Sequence, residues 1–347
     1  MNKLIRDTHI AERIVFIDGL SGSGKSVLFP VLGSFRNVEK IRIEHVYEYL
    51  SILHRLKKID ADAAISMMRI FSDLAIFNQM ISREVNLRIN DDSGLLNNPK
   101  PIEYISRLFY KDGEEVMTRI KKNNPILNIM THQILPNIDL AFRSFGQRLK
   151  VVTMVRHPLY LIDHWINYIE RYGSDPREFS LCLDYSGKAI PWFAQGWEEK
   201  YLSLKSIDRV IYSIEWLTRK SEDAFKKLSN AQKEQVMFIP FETFVRKPWL
   251  YINELKIFLG TEVTSATAKA LKRQKVPRSN LSAGRGHKQY GWKNETQSNS
   301  DQEDFNRRKS FVNLNACKES IDVLNSLCRE YEEKFQLIDQ PPWCFFA

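Results

Sequence analysis

Cysteine is scarce in this chain of 347 residues: Cys182, Cys317, Cys328 and Cys344 stand far apart, and no CxxC pair occurs. That excludes a disulfide framework and leaves no ligand spacing for a structural zinc site. Long apolar runs are missing too. No stretch reaches the roughly 18 apolar residues of a membrane-spanning helix. The start, MNKLIRDTHIAERIVFIDGL, has no signal-peptide core, since Asp18 interrupts the short run Ile14–Ile17. The expectation is a soluble, cytoplasmic protein. Glycine (14) and proline (13) are too few for a low-complexity or collagen-like chain. Helix-turn-helix and RNA-recognition signals are absent and the basic residues are dispersed, which argues against a specific nucleic-acid partner.

What is there is the composition of an ordinary enzyme, 43% hydrophobic and 27% charged, with a formal net charge of +9. Such a length buries a core without cross-links. The positive surplus predicts polyanionic company, phosphate-bearing cofactors included.

Ile14–Ile17 is short, β-branched and followed by glycines, which predicts a buried strand. A helix starts at Lys25, limited or kinked by Pro30. Lys40–His45 alternates like a second strand, and residues 46–89 are helical in pattern. Asn90–Pro101 is a loop by composition, followed by helix to about Lys122. Ile126–Met130 and Val151–Val155 are strand-like runs flanking a helix-compatible segment, Ile138–Gln147; that βαβ order favours a parallel sheet. Further strands are expected at Arg209–Ser213 and Val236–Ile239, with helical patterns near Leu202 and over Asp223–Leu228. A polar loop is expected over Val276–Asp304 and a final helix over Phe311–Phe335. Trp192, Phe193 and Trp197 read as core rather than as the lining of an acceptor pocket.

Between the first strand and the first helix lies GLSGSGKS, which matches G-x-x-x-x-G-K-[ST]. In that arrangement the backbone N–H groups of Gly19, Ser21, Gly22, Ser23 and Gly24 cradle phosphate oxygens, Lys25 adds a mobile charge, and Ser26 offers a hydroxyl to phosphate or Mg²⁺. A phosphoryl-transferring enzyme also needs an acidic residue at another strand end to hold Mg²⁺. Neither Asp18 nor Asp184 is well placed for that task; the other strand-like runs lead into Thr131-His132 and Arg156-His157-Pro158. Ligands of open parallel sheets sit beyond the strand ends, so His132, Arg156 and His164 are candidates to meet the bound group.

In this order the segments resemble the P-loop sulfotransferases that use 3′-phosphoadenosine 5′-phosphosulfate (PAPS). Ile14–Ser26 looks like the 5′-phosphosulfate loop. Met130–His132 with Leu135–Asn137 is similar to the KTH-type segment, and Val152–Tyr168 to the 3′-phosphate strand and helix. Phe238–Gly260 looks like the YEDLVxDP segment. GRGHKQYGWK, Gly284–Lys293, looks like the RKGxxGxWK loop that covers the nucleotide. Against the family pattern, Gly22 stands for a lysine, Lys25 for a threonine, Met130 for a lysine and His164 for a serine.

The resemblance implies an α/β three-layer sandwich around a central parallel sheet. It implies a single domain over 1–347, with a helical insertion at 46–122 that binds the acceptor. It further implies a PAPS donor, no required metal, and a small-molecule, lipid or carbohydrate acceptor. In-line sulfuryl transfer needs cations at the leaving phosphate and a base for the acceptor. Lys25 is the candidate for the first task. Arg156, His164, Arg285 and Gly286 are expected at the nucleotide's phosphates. His132 is the candidate base, with Glu44 and His45 as alternatives. The competing expectation is an ATP-dependent small-molecule kinase, which Lys25-Ser26 favours and the missing metal carboxylate opposes.

Overall fold

The computed structural model describes residues 2–89, 91, 93–283 and 300–337. Among the described residues seven strands form: β1 (Arg13–Asp18), β2 (Arg42–Ile43), β3 (Ile126–Met130), β4 (Leu149–Val155), β5 (Cys182–Tyr185), β6 (Lys188–Pro191) and β7 (Val236–Pro240). Five of them make a parallel sheet in the order β2–β3–β1–β4–β7. The central strand is β1, whose Ile14 pairs with Leu127 on one side and Leu149 on the other. It is apolar at successive positions because helices cover both faces. Ile14 and Phe16 pack in a cluster with Tyr47, Met68 and Phe145, whereas Val15 and Ile17 pack in another with Leu28, Trp165 and Phe244. This is the expected three-layer α/β arrangement with a central parallel sheet.

Helices Val46–Arg55, Ala61–Met80, Pro101–Arg107 and Glu114–Asn123 lie between β2 and β3. The helical pattern expected to Ile89 ends at Met80, and the expected loop before Pro101 contains one 3₁₀ turn, Leu95–Asn97. Pro30 sits inside the eight-residue helix Lys25–Leu32, which stops two residues later.

Three expectations are corrected. Arg209–Ser213 is not a strand but part of the helix Ser206–Lys227. Ile207, Val210, Ile211, Ile214 and Leu217 are all buried, a spacing that only a helix gathers on one face. The strand expected over Lys40–His45 shrinks to Arg42–Ile43, because the helix begins at Val46. The single final helix is two, Asp301–Asn315 and Lys318–Lys334, parted where the Cys317 N–H leaves the helical ladder and donates to Asp208 at 2.9 Å. The hairpin β5–β6 was not foreseen. Its turn, Ser186-Gly187, has positive φ at both residues, the combination that closes a two-residue hairpin. Trp192 and Phe193 are buried in the core, as expected, and Trp197 packs against it.

Candidate active site

The chain leaves β1 at Asp18 and turns through Gly19–Gly24 into the helix Lys25–Leu32. Gly22 and Gly24 take φ of 82° and 98°. A Cβ on Gly24 would run into the Phe241 ring, and one on Gly22 into His164, so conformation and space both demand glycine. Ser21 is held twice: its hydroxyl meets His164 Nε2 at 2.8 Å, and its carbonyl accepts the Trp165 Nε1–H at 2.9 Å. Arg156 donates Nη1–H to the Gly22 carbonyl at 2.9 Å. Lys25 is buried and curls back, its ammonium donating to the carbonyls of Gly19 and Leu20. Burial lowers its pKa, while Asp18 and Glu48 oppose the shift. Ser23 Oγ is buried without a hydrogen-bond partner, and Ser26 sits in the first helical turn.

The Arg156 guanidinium lies over the Phe241 ring at 4.6 Å and over Tyr160 at 5.7 Å, and its Nε is buried and unpartnered. Arg278 lies over the same Phe241 ring at 5.5 Å and donates to the carbonyls of Gln274, Lys275 and Leu281. Burial, then the charge of Arg156, lowers the Arg278 pKa to about 10. Among the described residues neither guanidinium pairs with a carboxylate, so two like charges adjoin without a counter-ion. Nothing in the linear pattern marks Arg278, which reaches Arg156 only through the fold. Arg285 and Gly286, with Trp292 and Lys293, lie outside the described residues.

On the β3 side, the backbone N–H of His132 donates to Glu48, whose Oε1 lies 3.6 Å from His132 Nδ1. The His45 ring stacks on His132 with centroids 5.0 Å apart. Burial, then the charge of Lys25, pushes the His132 pKa down to about 3, with Asp18 opposing. Burial also lowers that of His45 and raises that of Glu48. Donor atoms of His45, Glu48 and His132 lie within 4.8 Å of one another, a set of the kind that divalent cations accept. The rings stand 20° from parallel, however, and stacked rings do not aim both lone pairs at one point. Glu44, an alternative base by sequence, is committed to Arg42 at 2.9 and 2.6 Å. Glu48 went unrecognised in the sequence; its only signal is the three-residue step from His45, which puts both on one helical face.

Asp18 joins the two sides. It accepts the Thr131 hydroxyl at 2.9 Å and the backbone N–H groups of Gln133, Ile134 and Leu135 at 2.9, 3.0 and 3.1 Å. Its carboxylate therefore clamps the turn after His132 to the strand that carries the loop.

No family model matches this chain, and no curated protein does. Among solved structures, the sulfotransferase domain from the curacin biosynthetic pathway aligns over 93% of this chain and 97% of its own, with 13% identity and a TM-score of 0.44. The sulfotransferase domain from the Synechococcus PCC 7002 olefin synthase aligns over 90% and 98%, with 12% identity and a TM-score of 0.39. A sulfotransferase from Alicyclobacillus acidocaldarius aligns over 92% and 96%, with 14% identity and a TM-score of 0.37. Among the described residues no helix is long and apolar enough to cross a membrane.

Proposed function

We propose that the chain is a cytoplasmic PAPS-dependent sulfotransferase, moving a sulfuryl group onto a hydroxyl or amine of a small-molecule, lipid or carbohydrate acceptor without a required metal. One observation carries the reading: a phosphate loop flanked by two guanidiniums with no carboxylate partner among the described residues, beside an imidazole whose pKa burial lowers, next to Glu48. The first half suits a donor with phosphates at two ends, and the second suits removal of a proton.

In this reading the loop holds the 5′-phosphate, and Lys25 swings from its carbonyls to the bridging oxygen on which charge develops. Arg156 and Arg278, with His164 behind the loop, meet the 3′-phosphate, and Arg285 and Gly286 close over the nucleotide. Helices within 46–122 bind the acceptor. His132 takes the acceptor proton as the new S–O bond forms and the bond to the leaving phosphate breaks. The arriving anions oppose the burial and the Lys25 charge that hold the His132 pKa down, so donor binding itself makes the imidazole a stronger base. Glu48, 3.6 Å away, then stabilises the imidazolium.

Calorimetry with adenosine 3′,5′-bisphosphate and with ATP, each with and without Mg²⁺, tests the proposal. Metal-independent binding of the bisphosphate is expected; binding of Mg·ATP alone would return the reading to a kinase.

A further inference from the structure

Behind the loop lies a cavity of about 370 Å³, bordered by Gly19, Leu20 and Ser23 on one side and by the helices Ser206–Lys227 and Lys318–Lys334 on the other. It shares the loop and Arg156 with the anion site, but Lys25, Glu48, His132 and Phe241 do not line it. Its wall is mainly apolar, with Met154, Ile214, Phe238 and Leu327 among the lining residues. Charged residues on the lining are Asp18, Glu222 and Glu330 against Arg156, Lys226 and Lys334, with Lys334 Nζ 3.6 Å from Glu222. Away from the loop and Arg156, where the two helices form the wall, that pairing asks for no ionic ligand.

Thr153, in the middle of β4, breaks the apolar wall. It is 4% exposed and its hydroxyl is buried with no hydrogen-bond partner. Valine would fill the same space without a polar group to satisfy, so the hydroxyl is costly unless something in the cavity bonds to it. At the ~30 Å³ that one water occupies in the liquid, the space takes roughly a dozen non-hydrogen atoms.

We infer that this cavity is a second ligand site, for a neutral apolar alcohol or phenol of about that size, whose hydroxyl pairs with Thr153. The inference does not need the transfer reading, although the loop residues and Arg156 on the cavity's border are those assigned there to the donor.

The test uses the full chain and two fluorescent probes, 2-naphthol and naphthalene. Saturable binding of one 2-naphthol per chain is expected, about 5-fold or more tighter than naphthalene. Thr153→Val should erase that preference, and the ligand-free variant should melt no lower than the unaltered chain. Thr218→Trp, at a half-buried lining position, should abolish binding of both probes, and Leu327→Trp should do the same from inside. The proposal is overturned by absent saturable binding to the unaltered chain, by a preference that survives in Thr153→Val, or by binding that survives both tryptophan variants. Displacement of 2-naphthol by adenosine 3′,5′-bisphosphate would also overturn it, since the cavity would then belong to the donor site. These readouts need no transfer activity, so a failed transfer reading leaves them intact.

Discussion

On the β4 side of the loop, the fold presses Arg156 and Arg278 against Phe241, and Arg278 keeps its charge there. On the β3 side, burial drives His132 and His45 toward the neutral form and raises the Glu48 pKa. Both sides lie close to the same loop, so the difference comes from chemistry rather than depth. Guanidinium pKa values sit so high that even a shift to about 10 leaves Arg278 charged at neutral pH. An imidazole has no such margin. In the proposed reading the first side holds an anion and the second exchanges a proton.

Four measurements break or sharpen this contrast. His132→Gln should lower the transfer rate by about 10²–10⁴ while leaving bisphosphate affinity within about three-fold. Full activity would move the base to His45 or Glu48. Next, Arg156→Ala should weaken adenosine 3′,5′-bisphosphate by about 10–100-fold and adenosine 5′-phosphate far less. Equal losses would refute a role at the 3′-phosphate.

Arg278→Ala should cost about 3–10-fold in bisphosphate affinity, since its donors are already shared with three carbonyls. It removes three hydrogen bonds and a ring contact along with a like charge beside Arg156, so affinity is compared at a temperature where both proteins are folded. Unchanged bisphosphate affinity would mean that Arg278 is a structural strut rather than an anion ligand.

The smallest effect concerns acid stability. A His132 pKa of about 3 in the fold, against an ordinary value of 6.5, means the unfolded chain binds more protons between those limits. Stability therefore rises with pH across that window and is lost as pH falls from about 6.5 toward 3. The raised Glu48 pKa acts with the opposite sign above its ordinary 4.5, so the comparison with His132→Gln isolates the histidine. Its side chain is 25% exposed, which reduces the contribution to about 1 kcal/mol between pH 7 and 5. Denaturation of both proteins at the two pH values gives the difference, and identical pH dependence would remove His132 as its source.

The legible parts of the molecule are contiguous in the chain. The loop Gly19–Ser26 announces itself because strand, glycines, lysine and helix follow one another, and β1, β3 and β4 because buried parallel strands are short apolar runs. Arg278 and Glu48 are different. Each meets a neighbour far along the chain, Arg156 in one case and His132 in the other, and no local period encodes such a meeting. The residues at 209–213 misled for a related reason: Val210 and Ile211 suit a strand locally, and only the buried spacing over Ile207–Leu217 reveals the helix.

Lys25 has a consequence of its own. With its ammonium on the Gly19 and Leu20 carbonyls, the loop is latched by the very side chain that, in the proposed reading, an anion recruits. A visitor must outbid two carbonyls before it gains the lysine, which a halide does poorly and a phosphoester dianion does well. The latch works as a threshold: it sacrifices affinity for every anion alike and leaves the loop answering chiefly to the most highly charged.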